Sequence, residues 1–286
     1  MTCLLDRLPP GVTFIAGSEK NAGKTTLLNL LLAQARRSGR AGYLSIGVDG
    51  ESRDMVFGNP KPRIYSEPGD LVVTSQTALA NSSSEYRVLE VFESRTVLGR
   101  TVLAEIIRGG FVELTRPGDN SAVADILPRL RDAGAGMIFV DGASDRVTQA
   151  ASAPGAGYVF VLRATGAGVE RAAERARMLA EFDAVPETPE PRENEIYISG
   201  AFTQAVAETV PQGAAVVVED FTRVFLSPRE FAAFTASRTV SFRRRIPLRF
   251  ICVLLRDIAR QDFLNALGNS SAQSYIVFNP YEAAHG

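Results

Sequence analysis

The chain has 286 residues, 31 basic and 32 acidic, with a formal charge of −1, so no general electrostatic pull draws it to nucleic acid. No apolar run approaches the ~18 to 20 residues that span a bilayer, and the start, MTCLLDRLPPGV, lacks a basic-then-apolar leader pattern. A cytoplasmic protein away from membranes is the expectation. The only histidine is His285, and Cys3 and Cys252 lie far apart. That excludes a thiolate or imidazole metal centre and leaves a Ser-His or Cys-His nucleophile without a base.

The first predicted element is a β-type apolar run, Val12 to Ala16. It meets a polar loop bounded by Gly17 and Gly23, with Ser18, Glu19, Lys20, Asn21 and Ala22 between them. Lys24, Thr25 and Thr26 follow, and then a helical segment carrying Leu27, Leu28, Leu30, Leu31 and Leu32. Strand, glycine loop, Gly-Lys-Thr and helix form a layout that binds a nucleoside triphosphate. Loop amides surround the phosphates at the positive end of a helix dipole. In that layout Lys24 supplies a point charge between the outer phosphates and the Thr25 hydroxyl ligates magnesium. Only three of the basic residues are lysine, and two of them, Lys20 and Lys24, sit in this loop. A compact ammonium fits among phosphate oxygens where the broad guanidinium fork does not.

A second apolar run, Ala41 to Val48, ends at Asp49. In an open parallel sheet, ligand groups gather beyond the carboxyl ends of the strands, so Asp49 is expected beside the first loop. There it can hold magnesium through water or orient an attacking water. Residues 53 to 118 are less regular. Asp70 to Ser75 predicts a strand and Gln76 to Ala80 a helix. Arg87 to Phe92, Val97 to Ala104 and Phe111 to Thr115 suggest antiparallel strands added beside a parallel core, spanning about 60–118. Asn120 or Ser121 caps a helix from Ala122 to Ala133.

Gly136 to Val140 then delivers Asp141 and Gly142. A buried strand ending in Asp-Gly is a common turn. Third in this order, it suits a carboxylate for the magnesium water shell and an amide that senses the terminal phosphate. Arg146 lies in the next turn. Gly157 to Leu162 predicts another buried strand, and Val169 to Phe182 a helix whose Glu and Arg residues suit a solvated face. The Pro- and Glu-rich stretch 184–195 reads as a linker between a domain at 1–183 and a smaller unit at 196–286. That unit alternates again: strands at 196–199, 215–218, 250–255 and 275–278, helices at 202–210, 228–237 and 262–267. The alternation fits a second parallel α/β unit or a continuation of the first sheet. Asp220 and Thr222 follow a strand and could line a pocket. Arg243, Arg244, Arg245 and Arg249 could meet an anion or form an ordinary solvated turn. The fold class expected is therefore α/β: a mostly parallel sheet with inserted antiparallel strands, plus a smaller C-terminal α/β unit.

The loop departs by one residue from G-x-x-x-x-G-K-[ST], because Ser18 stands where the first glycine would be. Gly17-Ser18-Glu19-Lys20-Asn21-Ala22-Gly23-Lys24-Thr25 instead resembles the longer loop of dethiobiotin synthetase and related SIMIBI-class P-loop NTPases, in which an aspartate positioned like Asp49 serves magnesium or the attacking water. The longer order FIAGSEKNAGKTT, YLSIGVDGE, IFVDGA, ISGAFT and VVVEDFTRVF resembles the reactivase subunit family of lysine 5,6-aminomutase, an adenosylcobalamin enzyme. This resemblance implies ATP and Mg2+ as cofactors. It also implies release of damaged cobalamin from the aminomutase, and a second reactivase subunit as partner in an oligomer. By position it assigns nucleotide binding to 17–26 and magnesium to Thr25, Asp49 and Asp141, with Lys24 as the charge at the reacting phosphate. No Asn-Lys-x-Asp guanine-reading segment occurs, which favours ATP. The dethiobiotin synthetase resemblance implies the alternative, an ATP-dependent ligase activating a small carboxylate.

Overall fold

The computed structural model describes residues 3–17, 23–46, 64–96, 98–118, 121–144, 153 and 155–280. Nine strands form one sheet, β1 (Gly11–Gly17), β2 (Ala41–Ser45), β4 (Leu71–Ser75), β5 (Glu85–Thr96), β6 (Gly99–Arg108), β8 (Met137–Ser144), β9 (Gly157–Thr165), β13 (Leu248–Arg256) and β14 (Ile276–Phe278). Their order is β14-β13-β9-β1-β8-β2-β4-β6-β5. The seven strands from β14 to β4 pair parallel, and β6 and β5 close the far edge as an antiparallel hairpin. The fold class is α/β with a mostly parallel sheet.

Strand β1 is buried on both faces, which is why it reads as a continuous apolar run rather than an alternation. Phe14 and Ala16 face one core; Ile15 faces the other. Helix α1 (Lys24–Ala35) covers the Ile15 face with Leu27, Leu28, Leu31 and Leu32, all fully buried. Each contributes about 2 kcal/mol by burial. Helices α3 (Ser121–Asp132) and α4 (Val169–Ala184) cover the opposite face. The seam of α4 is alanine-rich (Ala172, Ala173, Ala176, Ala180), so its backbone can lie close to the strands. The connection from β8 to β9 crosses β1, while that from β1 to β2 runs to the other side. The chain therefore reverses direction at β1, the position in such sheets where ligands bind.

The stretch 60–118 differs from expectation in one respect. Strand β4 pairs parallel with β2 and belongs to the core; the added elements are β5, β6 and the small antiparallel pair β3 (Ile64–Ser66) with β7 (Gly110–Val112). Helix α2 (Gln76–Ala80) is capped by Ser75.

The smaller C-terminal unit is narrower than 196–286. Strands β10 (Glu195–Ile198), β11 (Ala215–Val218) and β12 (Thr239–Phe242) make a separate parallel sheet, with α5 (Gln204–Thr209) and α6 (Pro228–Thr235) between them. The sequence Ser-Pro-Arg-Glu starts α6 with a capping box, Ser227 to Glu230, and proline at the first turn. The chain then returns to the main sheet through β13, α7 (Arg260–Leu267) and β14. The expected linker is stitched down as well: Thr188 N donates to Phe242 O at 2.7 Å and Phe242 N to Pro186 O at 2.9 Å. Aromatic rings join the two sheets, with Phe182 of α4 edge-on to Phe231 at 4.9 Å and Tyr158 of β9 stacked on Phe221 at 4.6 Å. No helix among the described residues is long and apolar enough to cross a membrane.

Candidate functional site

The carboxyl ends of β1 and β8 lie side by side, and α1 begins between them in sequence and in space. Gly23 takes a left-handed conformation (φ 92°) and gives α1 no side-chain cap. A residue with a Cβ would be strained there. The first amides of α1 thus start from a turn that only glycine enters without strain, at the positive end of a twelve-residue helix.

Gly17 is needed for a different reason. A Cβ on it would lie 3.0 Å from the Val161 carbonyl oxygen and 3.2 Å from both Cγ and Cδ of Lys24. The stem of Lys24 folds back across the end of β1, and the bare glycine leaves room for it. Thr26, one position beyond Thr25, is exposed.

Thr25 Oγ1 donates to Asp141 Oδ2 at 3.1 Å. A bulge in β8 aims that carboxylate: Ile15 pairs with Asp141, Ala16 with Ala143, and Gly142, at φ 93°, is skipped. Asp-Gly inside an apolar run was the sequence signal for such an irregularity, although it read as a plain strand end. On its other side, β2 ends against the same residue, with Ile46 N donating to the Asp141 carbonyl at 2.8 Å.

Asp141 is 8% exposed. Burial pushes its carboxyl above the ordinary range; the Thr25 hydroxyl, the Gly142 amide and the Lys24 charge offset part of that rise. Its Oδ1 is buried with no hydrogen-bond partner among the described residues. An orphaned carboxylate oxygen beside a hydroxyl is an all-oxygen donor pair, which suits a hard divalent cation rather than a soft one. No group of three or more His, Cys, Asp or Glu side chains is poised to cage a metal among the described residues, so other ligands would come from water or from an anion. An ammonium, a glycine-led helix start and a cation-seeking carboxylate together suit a polyanion carrying a divalent ion.

The site brings together Gly17, Gly23, Lys24, Thr25, Asp141 and Gly142. Ser18, Glu19, Lys20, Asn21, Ala22, Asp49 and Arg146 lie outside the described residues. Asp220 is used structurally, its Oδ1 accepting from the Thr222 amide at 2.9 Å and from the Thr222 hydroxyl. The arginine run is also committed. Arg243 and Arg244 bind Glu219 at 3.4 and 2.7 Å, and Arg245 binds Asp183 at 3.2 Å. No protein-family model matches the chain, and no curated protein matches it in sequence.

Proposed function

We propose that the chain is a magnesium-dependent P-loop ATPase, with Gly17 to Thr26 as its phosphate loop. The observation that carries this reading is the Thr25–Asp141 pair beneath the folded-back stem of Lys24, with Asp141 Oδ1 unsatisfied. The Lys24 ammonium compensates charge on the outer phosphates. The Thr25 hydroxyl and, through water, Asp141 would hold Mg2+, which would supply charge neutralisation at the transferred phosphate. Gly142 lies beside these two residues at the bulge, its amide against the Asp141 carboxylate, and Asp49 has the sequence position to orient water. Attack of water on the outermost phosphorus needs little beyond such positioning and charge compensation.

The family resemblance extends the proposal to a reactivating factor that acts with a second subunit on an adenosylcobalamin-dependent aminomutase, in the cytoplasm. Titration calorimetry with Mg-ATP and Mg-GTP tests the first step. Wild type is expected to release heat with ATP, and Lys24→Ala to bind on the order of a hundredfold more weakly. Absence of heat with either nucleotide would overturn the nucleotide reading. Hydrolysis that ignores added aminomutase would overturn the reactivase reading alone.

A further inference from the structure

A cavity of about 870 Å³ opens on the α4 face of the sheet, between β9, the first turns of α4 and the segment 221–228 of the small unit. That volume is typical of a small-molecule site. Ala16 lines it and immediately precedes Gly17, so the cavity adjoins the end of β1 on the face away from α1. Its apolar wall includes Phe160, Leu162, Phe221 and Phe225. Phe225 is 62% exposed, the most exposed of the large apolar side chains among the described residues.

The charged groups facing this space are Arg163, Arg171, Arg175 and Glu174. Glu174 is taken by Arg229 at 3.0 Å. Arg175 lies over the Phe160 ring, 5.5 Å from its centre, and its one side-chain hydrogen-bond contact among the described residues is the Met178 sulfur at 3.9 Å. Neither Arg171 nor Arg175 meets a carboxylate among the described residues. Both stand in the first two turns of α4, where the helix's own dipole opposes cations. Two guanidinium groups, Arg171 and Arg175, therefore face a cavity of mixed polar and apolar lining whose one acid among the described residues, Glu174, is already paired.

We infer that this cavity binds a small organic anion, its apolar body against Phe160, Phe221 and Phe225 and its acidic group held by Arg171 and Arg175. The cavity opens beside the end of β1, and binding of an anion in it does not require the loop to bind nucleotide. Fluorescence titration with 8-anilinonaphthalene-1-sulfonate tests it, using the uncharged N-phenyl-1-naphthylamine as control. The chain has no tryptophan to transfer energy to either dye. One sulfonate dye per chain is expected, and Arg171→Gln with Arg175→Gln should weaken it on the order of tenfold or more. The uncharged dye should change less than twofold in that variant. Phe225→Ala, at an exposed position that does not endanger folding, should weaken both dyes. Equal binding of the sulfonate to wild type and both variants would overturn the inference. So would competitive displacement of the dye by Mg-ATP, which would make the cavity part of the nucleotide site.

Discussion

The Thr25 hydroxyl reaches across 116 residues of sequence to donate to Asp141 Oδ2 at 3.1 Å, joining the start of α1 to the bulged end of β8. The bond satisfies one oxygen of a carboxylate that burial disfavours and leaves the other bare. A protein selected for stability alone would not keep a carboxylate in that state. Asp141→Asn is therefore expected to stabilise the ligand-free protein by about 1 kcal/mol, a rise in Tm on the order of 2 °C. If the chain binds Mg-ATP as proposed, the substitution should also abolish the stabilisation expected of Mg-ATP in wild type. Thermal melts with and without Mg-ATP measure both, and a variant that loses stability without ligand contradicts this account of Asp141.

Gly17→Ala separates the loop from the fold. The new methyl would press on the Val161 carbonyl at 3.0 Å and on the Lys24 stem at 3.2 Å. The carbonyl is fixed in the sheet, so the flexible lysine gives way. The expected cost to stability is about 1 to 2 kcal/mol. Mg-ATP affinity should fall roughly tenfold or more, since a displaced ammonium no longer serves the phosphates. Unchanged affinity by calorimetry would mean that the Lys24 stem does not need this gap.

Much of this site was legible in the sequence because its parts are local. Gly17, Gly23, Lys24 and Thr25 occupy one strand-turn-helix, and Asp141 ends a run too apolar to be anything but a buried strand. What the sequence could not convey is how distant segments share a sheet. Strands β10 and β11 resemble β13 in composition, yet only β13 joins β9, because β-pattern carries no address for its neighbour. Strand β12 was missed: four residues, Thr239–Phe242, run straight into arginines that look like a solvated turn. Those arginines are held by Glu219 and Asp183, partners 24 to 62 residues away. Of the arginines of α4, Arg171 lies on an exposed face as expected and Arg177 feels Glu181 one turn on, but the fold turns Arg175 onto Phe160, a neighbour helical spacing could not name.

Asp183 is the fastener that returns the chain to the main sheet. At the end of α4 it accepts from Leu248 N at 2.9 Å, Tyr275 Oη at 2.7 Å and Arg245 Nη2 at 3.2 Å. Asp183→Ala leaves the buried Leu248 amide and the tyrosine hydroxyl unsatisfied, for a loss of about 2 to 3 kcal/mol. Arg245→Ala should cost under about 1 kcal/mol, because that side chain is 44% exposed and its pairing is screened. Urea unfolding compares the two; equal losses would show the ion pair, rather than the buried donors, to be what Asp183 contributes.

The same contact predicts an alkaline effect. Burial pushes the Tyr275 hydroxyl up to about 12, the hydrogen bond to Asp183 and the carboxylate's charge push the same way, and Arg245 opposes them. Below the ordinary value of 10.0 both folded and unfolded chains keep this proton, and its contribution to stability is complete. As pH rises from there toward about 12, the unfolded chain releases the proton and the folded chain retains it, so the contribution is progressively lost. Tyr43 and Tyr158 are also raised by burial and act in the same sense. They are common to wild type and Tyr275→Phe, so the difference between the two proteins isolates Tyr275. The variant should be less stable by about 1 kcal/mol near neutral pH, and the gap should close as pH rises past 10. Urea midpoints measured at unit intervals from pH 8 to about 11 would reveal it. Parallel curves would mean that Tyr275 does not hold its proton more tightly in the folded chain.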